Sequence, residues 1–554
     1  MMWERSDANC MTIVVGRKAS STGHVILGHN EDDTGRFLVR HGYVPPAAHD
    51  ASERLPCEEG RAAIPQIERT CGFYWSEVCG AGRGLSTSDL MINDNGVCVV
   101  SDGVPSREDG PDEALLREGG IAYNLRRVVA ERAKSARDGM AIIRSLVETW
   151  GYAPSGRIYI VADAGEAFVF QLVKGRRCLA ARVPDDAVAA IPNHYVVHSR
   201  KDAEEVVFSP DLVSYALERG WAASEETFDF YEAFQSRERY LDPTDILRQD
   251  YALRRLTGRA FDRARLPFAA RPDRLCSVRD VIRALSCHYE GTSDDVRFGP
   301  GASPHNTPVM RICRGSTVES TVVEFDAAPK ELTAWTAFGR PCQQLFLPLH
   351  PLYGTVDAID RMEDPAAALQ AHLTPERGGI GWRQSGWQAL RDFGNMAEFF
   401  HSECESALHA LQDAWLESRM RANRERTVSA LVFDAAQAEA ALAETRRFAA
   451  AHFRRVEVSA RTAADGETCL VSFRCDEPPR EETLLFGLGC LNLRTQYARA
   501  TPRSLVKTGE GLYQASFPLK GLFCVDTGAG TFECFLGGNG ESGRSFAGMT
   551  LVER

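Results

Sequence analysis

The 554-residue sequence lacks the marks of several large protein classes. It has no run of about 18 apolar residues, and its first segment, MMWERSDAN, has no apolar core of the kind found in secretory signals. Its 16 cysteines include no CxxC pair, and their irregular spacing favours free buried thiols over a disulfide framework or a zinc site. The absence of GxSxG, HExxH and GxxxxGK[ST] removes elbow-type serine hydrolases, zincins and P-loop enzymes from first consideration.

An excess of positive charge is also missing. The net charge is −12, and the basic residues are dispersed among acids instead of forming a stripe with interleaved aromatics. We therefore expect neither nucleic acid nor an anionic membrane as a partner, and we expect a cytoplasmic location. The hydrophobic share of 44% and the charged share of 25% are those of an ordinary folded protein.

The N-terminal region has the pattern of a β-hairpin that starts at a cysteine. Two β-rich runs, 11–16 and 24–28, flank RKASSTG, whose Ser, Thr and Gly residues are turn formers. Cys10 then lies at the start of a strand, and the hairpin would bring the polar stretch HNEDD, residues 29–33, back beside it. Residues 90–104 repeat the arrangement, with a turn leading into an apolar strand that ends at polar residues.

Strands and helices alternate through the rest of the chain. Apolar residues at helical spacing predict one helix over 123–151 and a capped helix over 277–288. Strands are predicted on both sides of a turn at 164–165, and again at 309–314 and 316–325. This order indicates an α+β protein with antiparallel sheets.

Four segments are predicted along the chain. They are a leader at 1–9, a catalytic domain at 10–360, a helical extension at 361–466 and a small β-rich module at 467–554. The amphipathic extension could pack on the core or on another subunit, so a homo-oligomer remains open.

Cysteine at such a position can act as a nucleophile. A thiolate attacks an amide carbonyl when a base removes the thiol proton, and the α-amine of an N-terminal cysteine, with a pKa of about 7.7 to 8.0, is a suitable base. This chemistry requires loss of residues 1–9, which the Cys10 thiol itself could bring about by attacking the Asn9 carbonyl. Alone, Cys10 would be interpreted as a buried core residue; the hairpin and the polar cluster favour the catalytic interpretation.

Several stretches together carry a family resemblance. They are Cys10 with Thr12, VGRKASSTG, GHNED, MINDNGVCVV, VADAGEAFVFQLVKGRRCLAARVPDDAVAAIPN, PDRLCSVRDVIRALSCHYEGTSDD and STVESTVVEF, in family order from Cys10 to about Tyr353. The chain resembles the dipeptidase family of N-terminal nucleophile hydrolases, with secernins as relatives. The resemblance implies a four-layer αββα sandwich and a cysteine-dependent dipeptidase that acts through a thioester.

The resemblance also implies roles for single residues. Cys10 is the nucleophile, the Asp32 carboxylate hydrogen-bonds to it and orients it, and Asn193 donates to the oxyanion, a role that suits a neutral amide N–H. Arg255 is the candidate for a later family arginine, with Arg254 and Arg259 as competitors. The predicted substrate-binding residues are His29, Asn30, Asp102 and Glu290.

Two positions depart from the family pattern. His29 stands where many members have arginine, and an imidazole is fully charged only below a pKa of roughly 6.5. Met11 stands where a threonine usually follows the cysteine, so the second oxyanion donor is expected to be a backbone N–H near Asp102 or Gly103. No cofactor is expected, and HNEDD lacks the alternating acids and glycine of a calcium loop, so no metal is expected there.

Two other functions stay open. An amidase for N-acyl amino acids, bile-salt conjugates or penicillin-type amides would use the same nucleophile with a different pocket. A secernin-like protein that binds without catalysis is favoured by His29, Met11 and the C-terminal module.

Overall fold

The computed structural model of the chain describes residues 10–32, 38–57, 61–79, 90–107, 116–297, 303–305, 307, 309–360, 386–488, 499–519 and 531–553. The predicted leader at 1–9 lies outside these residues. No helix within the described ranges is long and apolar enough to cross a membrane.

The first part of the chain is built mainly from strands. In chain order they are β1 (Met11–Val15), β2 (Ile26–Asp32), β3 (Leu38–Val44), β4 (Arg54–Pro56), β5 (Ala63–Pro65), β6 (Phe73–Cys79), β7 (Leu90–Asn93), β8 (Cys98–Gly103), β9 (Arg157–Ala162), β10 (Ala167–Leu172), β11 (Cys178–Arg182), β12 (Val188–Ile191), β13 (Val206–Phe208), β14 (Ala269–Ala270), β15 (Thr317–Glu324), β16 (Thr333–Ala337) and β17 (Leu347–Leu349). The helices of this part are α1 (Leu125–Arg132), α2 (Ala136–Trp150), α3 (Leu212–Glu218), α4 (Phe230–Phe234), α5 (Pro243–Thr257), α6 (Val278–Leu285) and α7 (Asp357–Asp360).

Most of these strands form two antiparallel sheets. Sheet I has the strand order β14-β12-β1-β2-β15-β16-β17, and sheet II has the order β13-β11-β10-β9-β8-β7-β6-β3. Since β1 is central in sheet I, its side chains are buried on both faces, and MTIVV is accordingly apolar at almost every position. The predicted hairpin of β1 and β2 is confirmed, with Met11 opposite Asn30.

Apolar side chains hold the sheets and helices together. One buried cluster contains residues of both sheets, among them Val14, Leu27 and Ile191 of sheet I and Val100 and Ile160 of sheet II. A second cluster joins sheet I to α5 and α6. A third joins sheet II to α1 and α2. The chain is therefore a mixed α/β protein with several sheets, in agreement with the predicted α+β class.

The C-terminal part consists of three long helices followed by strands. The helices are α8 (Gly386–Phe399), α9 (His401–Arg424) and α10 (Ala430–His452). The strands are β18 (Phe453–Arg455), β19 (Val458–Thr462), β20 (Thr468–Arg474), β21 (Leu485–Leu488), β22 (Arg499–Ala500), β23 (Ser504–Gly509), β24 (Leu512–Pro518), β25 (Thr531–Asn539) and β26 (Ser545–Glu553). They form a five-stranded and a four-stranded sheet around one apolar cluster. The strands thus begin at Phe453, ahead of the predicted boundary at 467.

The single helix predicted over 123–151 is wrong, because the chain breaks between α1 and α2. Ala133 has an extended backbone, and the Ser135 side chain caps α2 by accepting a hydrogen bond from the Asp138 N–H. The Asn93 side chain donates to the Ala130 and Ala133 carbonyls at 3.1 and 2.8 Å, which satisfies the end of α1.

The strand predicted at 309–314 is also wrong. The Ile312 carbonyl accepts a hydrogen bond from the Asn30 side chain, and the Cys313 N–H donates to the Cys287 carbonyl. These backbone groups therefore bond to a side chain and to the segment after α6 instead of to a neighbouring strand.

Candidate active site

Strand pairing brings Cys10 beside the polar end of β2. Met11 pairs with Asn30, so the next position along β1 places Cys10 opposite Glu31. The Cys10 side chain is 2% exposed, and its Sγ lies 3.8 Å from each carboxylate oxygen of Glu31. The thiol therefore faces a carboxylate that was not predicted as a site residue.

Thr12 links the histidine of β2 to sheet II. The Thr12 hydroxyl donates to Asp102 Oδ2 at 2.7 Å, and His29 Nδ1 lies 2.9 Å from the same hydroxyl. Because a hydroxyl has a single proton, Nδ1 is the donor in the second hydrogen bond. His29 Nε2 lies 3.4 Å from Glu31 Oε2, so His29 and Asp102 are both joined to the Cys10 cluster.

Burial controls the protonation of this cluster. The pKa of the Cys10 thiol is raised well above its ordinary value, first by burial and then by the negative charges of Glu31, Asp102 and Asp32. Burial also raises the pKa of Asp32 and of Asp102 to about 6. The pKa of His29 is lowered by burial, so His29 does not supply the charge of an arginine at neutral pH.

Asp32 approaches the thiol through its backbone. A hydrogen bond from the Asp32 backbone N–H lowers the Cys10 pKa and so opposes the effect of burial. The Asp32 carboxylate accepts a hydrogen bond from the Thr317 hydroxyl at 2.5 Å and lies 3.8 Å from the Arg314 guanidinium. Asp32 therefore contacts Cys10 through its backbone N–H, whereas its carboxylate, the group predicted to orient Cys10, is held by β15 and the segment before it.

Arg248 joins Cys10 to Asn193. Thr12 pairs with Ile191, so continuing the register by two residues brings Asn193 opposite Cys10. Arg248, on α5, donates to the Cys10 carbonyl at 3.0 Å and to Asn193 Oδ1 at 2.8 Å, and it forms a buried ion pair with Asp245. The Asn193 amide N–H₂ donates to the Gly103 carbonyl at 2.8 Å, and no second acceptor for it lies within reach among the described residues.

The predicted arginine, Arg255, lies elsewhere on α5. Its side chain is 43% exposed and 3.6 Å from Glu290, and it is not among the described groups that contact Cys10. Arg254 pairs with Asp250, and Arg259 is exposed near Asp273. Arg248, two helical turns before Arg255, contacts the predicted nucleophile instead.

Two further predicted residues point away from the thiol. The Asn30 amide donates to the Leu285 and Ile312 carbonyls at 3.0 and 3.1 Å, which fixes the end of α6 and the segment before β15 against β2. Glu290 bonds to His288 and Arg255. The structure therefore brings together Cys10, His29, Asp32, Asp102 and Asn193, and it does not bring Arg255 or Glu290 to them.

A family model described as peptidase family C69 matches residues 9–372. The chain belongs to peptidase family C69. The resemblance derived from the motifs is thereby confirmed, and the chain is a peptidase of a cysteine-type family.

Several relatives of this C69 peptidase have names that state an activity. A probable dipeptidase of Latilactobacillus sakei is 22% identical over 360 residues, covering 63% of this chain and 75% of the relative. Dipeptidase A of Lactobacillus helveticus is 25% identical over 359 residues, covering 62% and 75%. A probable dipeptidase of Salmonella dublin is 25% identical over 364 residues, covering 62% and 80%.

A solved structure also matches part of the chain. It is the Caenorhabditis elegans N-acylethanolamine-hydrolyzing acid amidase (NAAA) ortholog, with 12% identity and a TM-score of 0.26, covering 56% of this chain and 92% of that one. A TM-score of this size is too low to establish a common fold.

Two arginines add positive charge near the Cys10 cluster. Arg126, on α1, donates to the Ser101 hydroxyl at 3.0 Å, and Arg157 donates to the same oxygen at 2.8 Å. Arg126 lies close enough to Glu31 and His29 for their charges to interact. The sequence does not single out these arginines or Arg248. Each is one basic residue on a helix or strand, and the sequence does not show which face of that element will be buried.

The Cys10 cluster also has the residue types of a metal site. One ligand atom each from Cys10, His29 and Glu31 lies within 4.8 Å of the others. Three such groups could bind a divalent cation, although a thiol that acts as a nucleophile must be free of metal when it reacts.

Proposed function

We propose that this C69 peptidase is a cysteine-dependent dipeptidase whose nucleophile is Cys10. The observation that carries the proposal is the convergence of Cys10, Glu31, Asn193 and Arg248 at one end of sheet I. A thiol beside a carboxylate, a fixed amide donor and a buried cation is the set of groups that acyl transfer needs. The names of the Lactobacillus and Salmonella relatives support peptides of two residues as substrates.

Cys10 becomes the first residue of the active form in this proposal. The family match begins at residue 9, so residues 1–8 of the proposed leader lie ahead of the matched region. In the uncleaved chain Glu31 is the carboxylate nearest the thiol and takes its proton. The thiolate attacks the Asn9 carbonyl, the acyl group moves from nitrogen to sulfur, and water hydrolyses the thioester to release the leader.

Removal of the leader changes the base. The freed α-amine of Cys10, with a pKa of about 7.7 to 8.0, then accepts the thiol proton and later donates it to the leaving amine of the substrate. The thiolate forms a thioester with the acyl half of the dipeptide, and water hydrolyses it. Asp32 holds Cys10 in position through its backbone N–H.

Asn193 is proposed as the side-chain donor to the oxyanion. Its amide nitrogen has two N–H groups, one of which bonds to Gly103, so the other is available to a tetrahedral intermediate. Arg248 donates to the amide oxygen of Asn193 and so fixes the direction of that N–H. We assign the arginine role to Arg248 and not to Arg255 because only Arg248 contacts both Cys10 and Asn193 among the described residues.

The fold is proposed to be the four-layer αββα sandwich of N-terminal nucleophile hydrolases. The support is the order of apolar clusters, from α5 and α6 through sheet I and sheet II to α1 and α2. We place the catalytic domain at 10–360 and the helical extension after it, with the β-rich module starting at Phe453. A cytoplasmic location and small peptides as the partners fit this function.

A substrate panel tests the proposal. Purified protein is assayed with dipeptides, with N-acyl amino acids and with bile-salt and penicillin-type amides, each beside Cys10→Ala. Release of free amino acids from dipeptides that Cys10→Ala abolishes supports the dipeptidase. Cleavage of the acyl amides alone would identify an amidase, and inactivity toward every amide by processed protein would favour a binding protein.

A further inference from the structure

A second cluster of thiols and imidazoles lies behind the C69 site. Its members are His288, His305, Cys313 and Cys342. His288 follows α6, His305 and Cys313 lie between α6 and β15, and Cys342 lies between β16 and β17. Each side chain is no more than 3% exposed. One ligand atom from each of the four lies within 4.8 Å of the others.

The distances fit a tetrahedral metal centre. The Nε2 atoms of His288 and His305 are 3.2 Å apart, and the Sγ atoms of Cys313 and Cys342 each lie 3.5 Å from His305 Nε2. Zn–N bonds of about 2.0 to 2.1 Å and Zn–S bonds of about 2.3 Å at tetrahedral angles separate two nitrogens by about 3.4 Å, and a nitrogen from a sulfur by about 3.6 Å. The four atoms therefore surround a space of the right size for one ion.

Carboxylates hold the other nitrogen of both rings. His305 Nδ1 lies 2.7 Å from Glu398 Oε2, and His288 Nδ1 lies 3.2 Å from Glu290 Oε1. A carboxylate accepts the proton of Nδ1, which leaves Nε2 as the coordinating atom. This carboxylate–histidine arrangement is the one that orients imidazole ligands around zinc.

The alternative to a bound ion is a network of hydrogen bonds within the cluster. With both Nδ1 atoms protonated, two neutral rings direct their Nε2 lone pairs at each other across 3.2 Å. His305 Nε2 also has two sulfurs within 3.5 Å, although one nitrogen lone pair accepts a single strong hydrogen bond. A Cys313 thiolate that accepts hydrogen bonds from His288, His305 and Cys342 would be the metal-free arrangement, whereas one cation binds all four groups directly.

We propose that His288, His305, Cys313 and Cys342 bind a structural Zn²⁺ ion. Two thiolates and two imidazoles in tetrahedral order are a preferred zinc donor set, and four protein ligands leave no open position for catalysis. Binding displaces the two thiol protons to solvent. The proposal is independent of the dipeptidase function, because it uses none of the residues assigned to that chemistry.

The ion would connect parts of the chain that are distant in sequence. Glu398 belongs to α8, and its carboxylate also bonds to the Ser303 hydroxyl and, at 2.5 Å, to the Gln343 amide. Through His305 and Glu398, the ion would therefore link the first helix of the C-terminal part to the catalytic domain. Cys313 directly precedes Arg314, whose guanidinium faces Asp32, so the ion also fixes the backbone beside the Cys10 cluster.

Metal analysis of the full chain tests the site. The protein is expressed in zinc-supplemented medium, purified without chelator and analysed for Zn, Fe, Cu and Ni by mass spectrometry. We expect about one Zn²⁺ per chain in the wild type and in Cys10→Ala, and a loss of at least about 80% in the Cys313→Ser/Cys342→Ser double variant. Cys287→Ser is the matched control, since Cys287 is buried next to His288 without belonging to the cluster, and it should keep its zinc.

A second measurement covers the case in which the double variant fails to fold. Wild-type protein stripped of metal and loaded with Co²⁺ should show the intense visible bands of tetrahedral cobalt with thiolate ligands, and Cys10→Ala should show the same bands. Wild-type protein that holds no zinc and takes up no cobalt overturns the proposal. So does zinc that is lost in Cys10→Ala and kept in the double variant, or another metal present at one per chain in place of zinc.

Discussion

Two cysteine–histidine clusters in this molecule contain the same residue types in different order. Around Cys10, the carboxylate of Glu31 faces the sulfur at 3.8 Å and the histidine lies beside that carboxylate. Around Cys313, the carboxylates bond to the outer nitrogens of the rings, and sulfurs and inner nitrogens face one another. The position of the carboxylate is therefore the difference that we relate to the two proposed roles, a thiol that exchanges a proton and thiols that bind a metal.

The difference also concerns charge. The Cys10 cluster contains several buried acids, which raise the pKa of the thiol and cost stability when they ionise. The Cys313 cluster would gain stability on deprotonation, since zinc neutralises two thiolates. The proposed reactive site and the proposed structural site should therefore differ in how protein stability changes when one charged group is removed.

The largest effect is expected for Cys10→Ala, which should abolish activity without changing the metal content. Cys10→Ala should lower kcat for dipeptides by at least about four decades, because no other group can form the thioester, and it should leave zinc unchanged. Steady-state kinetics and metal analysis of the same preparation check both results. Cys98→Ala, at a buried cysteine in the core between the sheets, should stay within a few-fold of wild type; a comparable loss there would show that any buried cysteine change inactivates the protein.

Asn193→Ala should have the next largest effect. Loss of one oxyanion donor is typically worth on the order of 3 kcal/mol, so kcat should fall by about two to three decades with a smaller change in KM. A matched change in the second cluster, His305→Ala, removes a zinc ligand and should leave the Asn193 contacts in place. If Asn193→Ala changes KM alone, the residue binds substrate and does not stabilise the oxyanion.

The acids of the Cys10 cluster should respond to pH in a defined direction. The Asp102 carboxyl has a pKa of about 6 in the folded protein, above the ordinary value of 3.8. The folded protein therefore favours the protonated carboxyl, and this stabilisation is present below about pH 4 and is lost as the pH rises through about 6. Asparagine cannot ionise, so Asp102→Asn does not pay the cost of a buried negative charge at high pH. The free energy of unfolding of the variant should exceed that of the wild type by up to about 3 kcal/mol at pH 8, and the two should be equal near pH 4.

Urea unfolding at the two pH values measures that gain. Asp245→Asn provides a control of opposite sign, because the charges of Arg248, Arg239 and His194 outweigh burial and lower the Asp245 pKa. That variant should be destabilised at pH 8. A destabilised Asp102→Asn would mean that the ionised carboxylate is favoured in the folded protein.

The smallest effect concerns the orientation of a zinc ligand. Glu398→Gln removes the carboxylate that accepts the His305 Nδ1 proton, and loss of such a partner typically weakens zinc binding by about 10- to 100-fold. Competition with a zinc chelator measures the affinity. Glu324→Gln, at a half-buried carboxylate that accepts from the Trp335 indole, should leave zinc affinity unchanged.

The sequence predicts much of the Cys10 cluster because its residues lie on paired strands. Once β1 and β2 form a hairpin, a side-chain period of two fixes which residues lie opposite Cys10. This register places Glu31 opposite Cys10 and His29 on the same face, whereas the role of Asp32 came from the family resemblance. Asp102 came from the family resemblance, and the second predicted hairpin puts it at a strand end.

Residues supplied by helices and irregular segments escape this logic. Arg248 and Arg255 lie on the same helix, and the sequence alone does not state which turn faces β1. The ligands of the Cys313 cluster lie at 288, 305, 313 and 342, without the short CxxC or HxxxH spacings that a local metal loop would show. Only the packing of α6, β15, β16 and α8 brings them together.

The intact mass of purified protein tests the central claim most directly. If Cys10 is the N-terminal nucleophile, the wild type should have the mass of residues 10–554, and Cys10→Ala expressed in the same way should keep residues 1–9. The account is contradicted if the wild type keeps residues 1–9 while it cleaves dipeptides, or if Cys10→Ala loses them as completely as the wild type does.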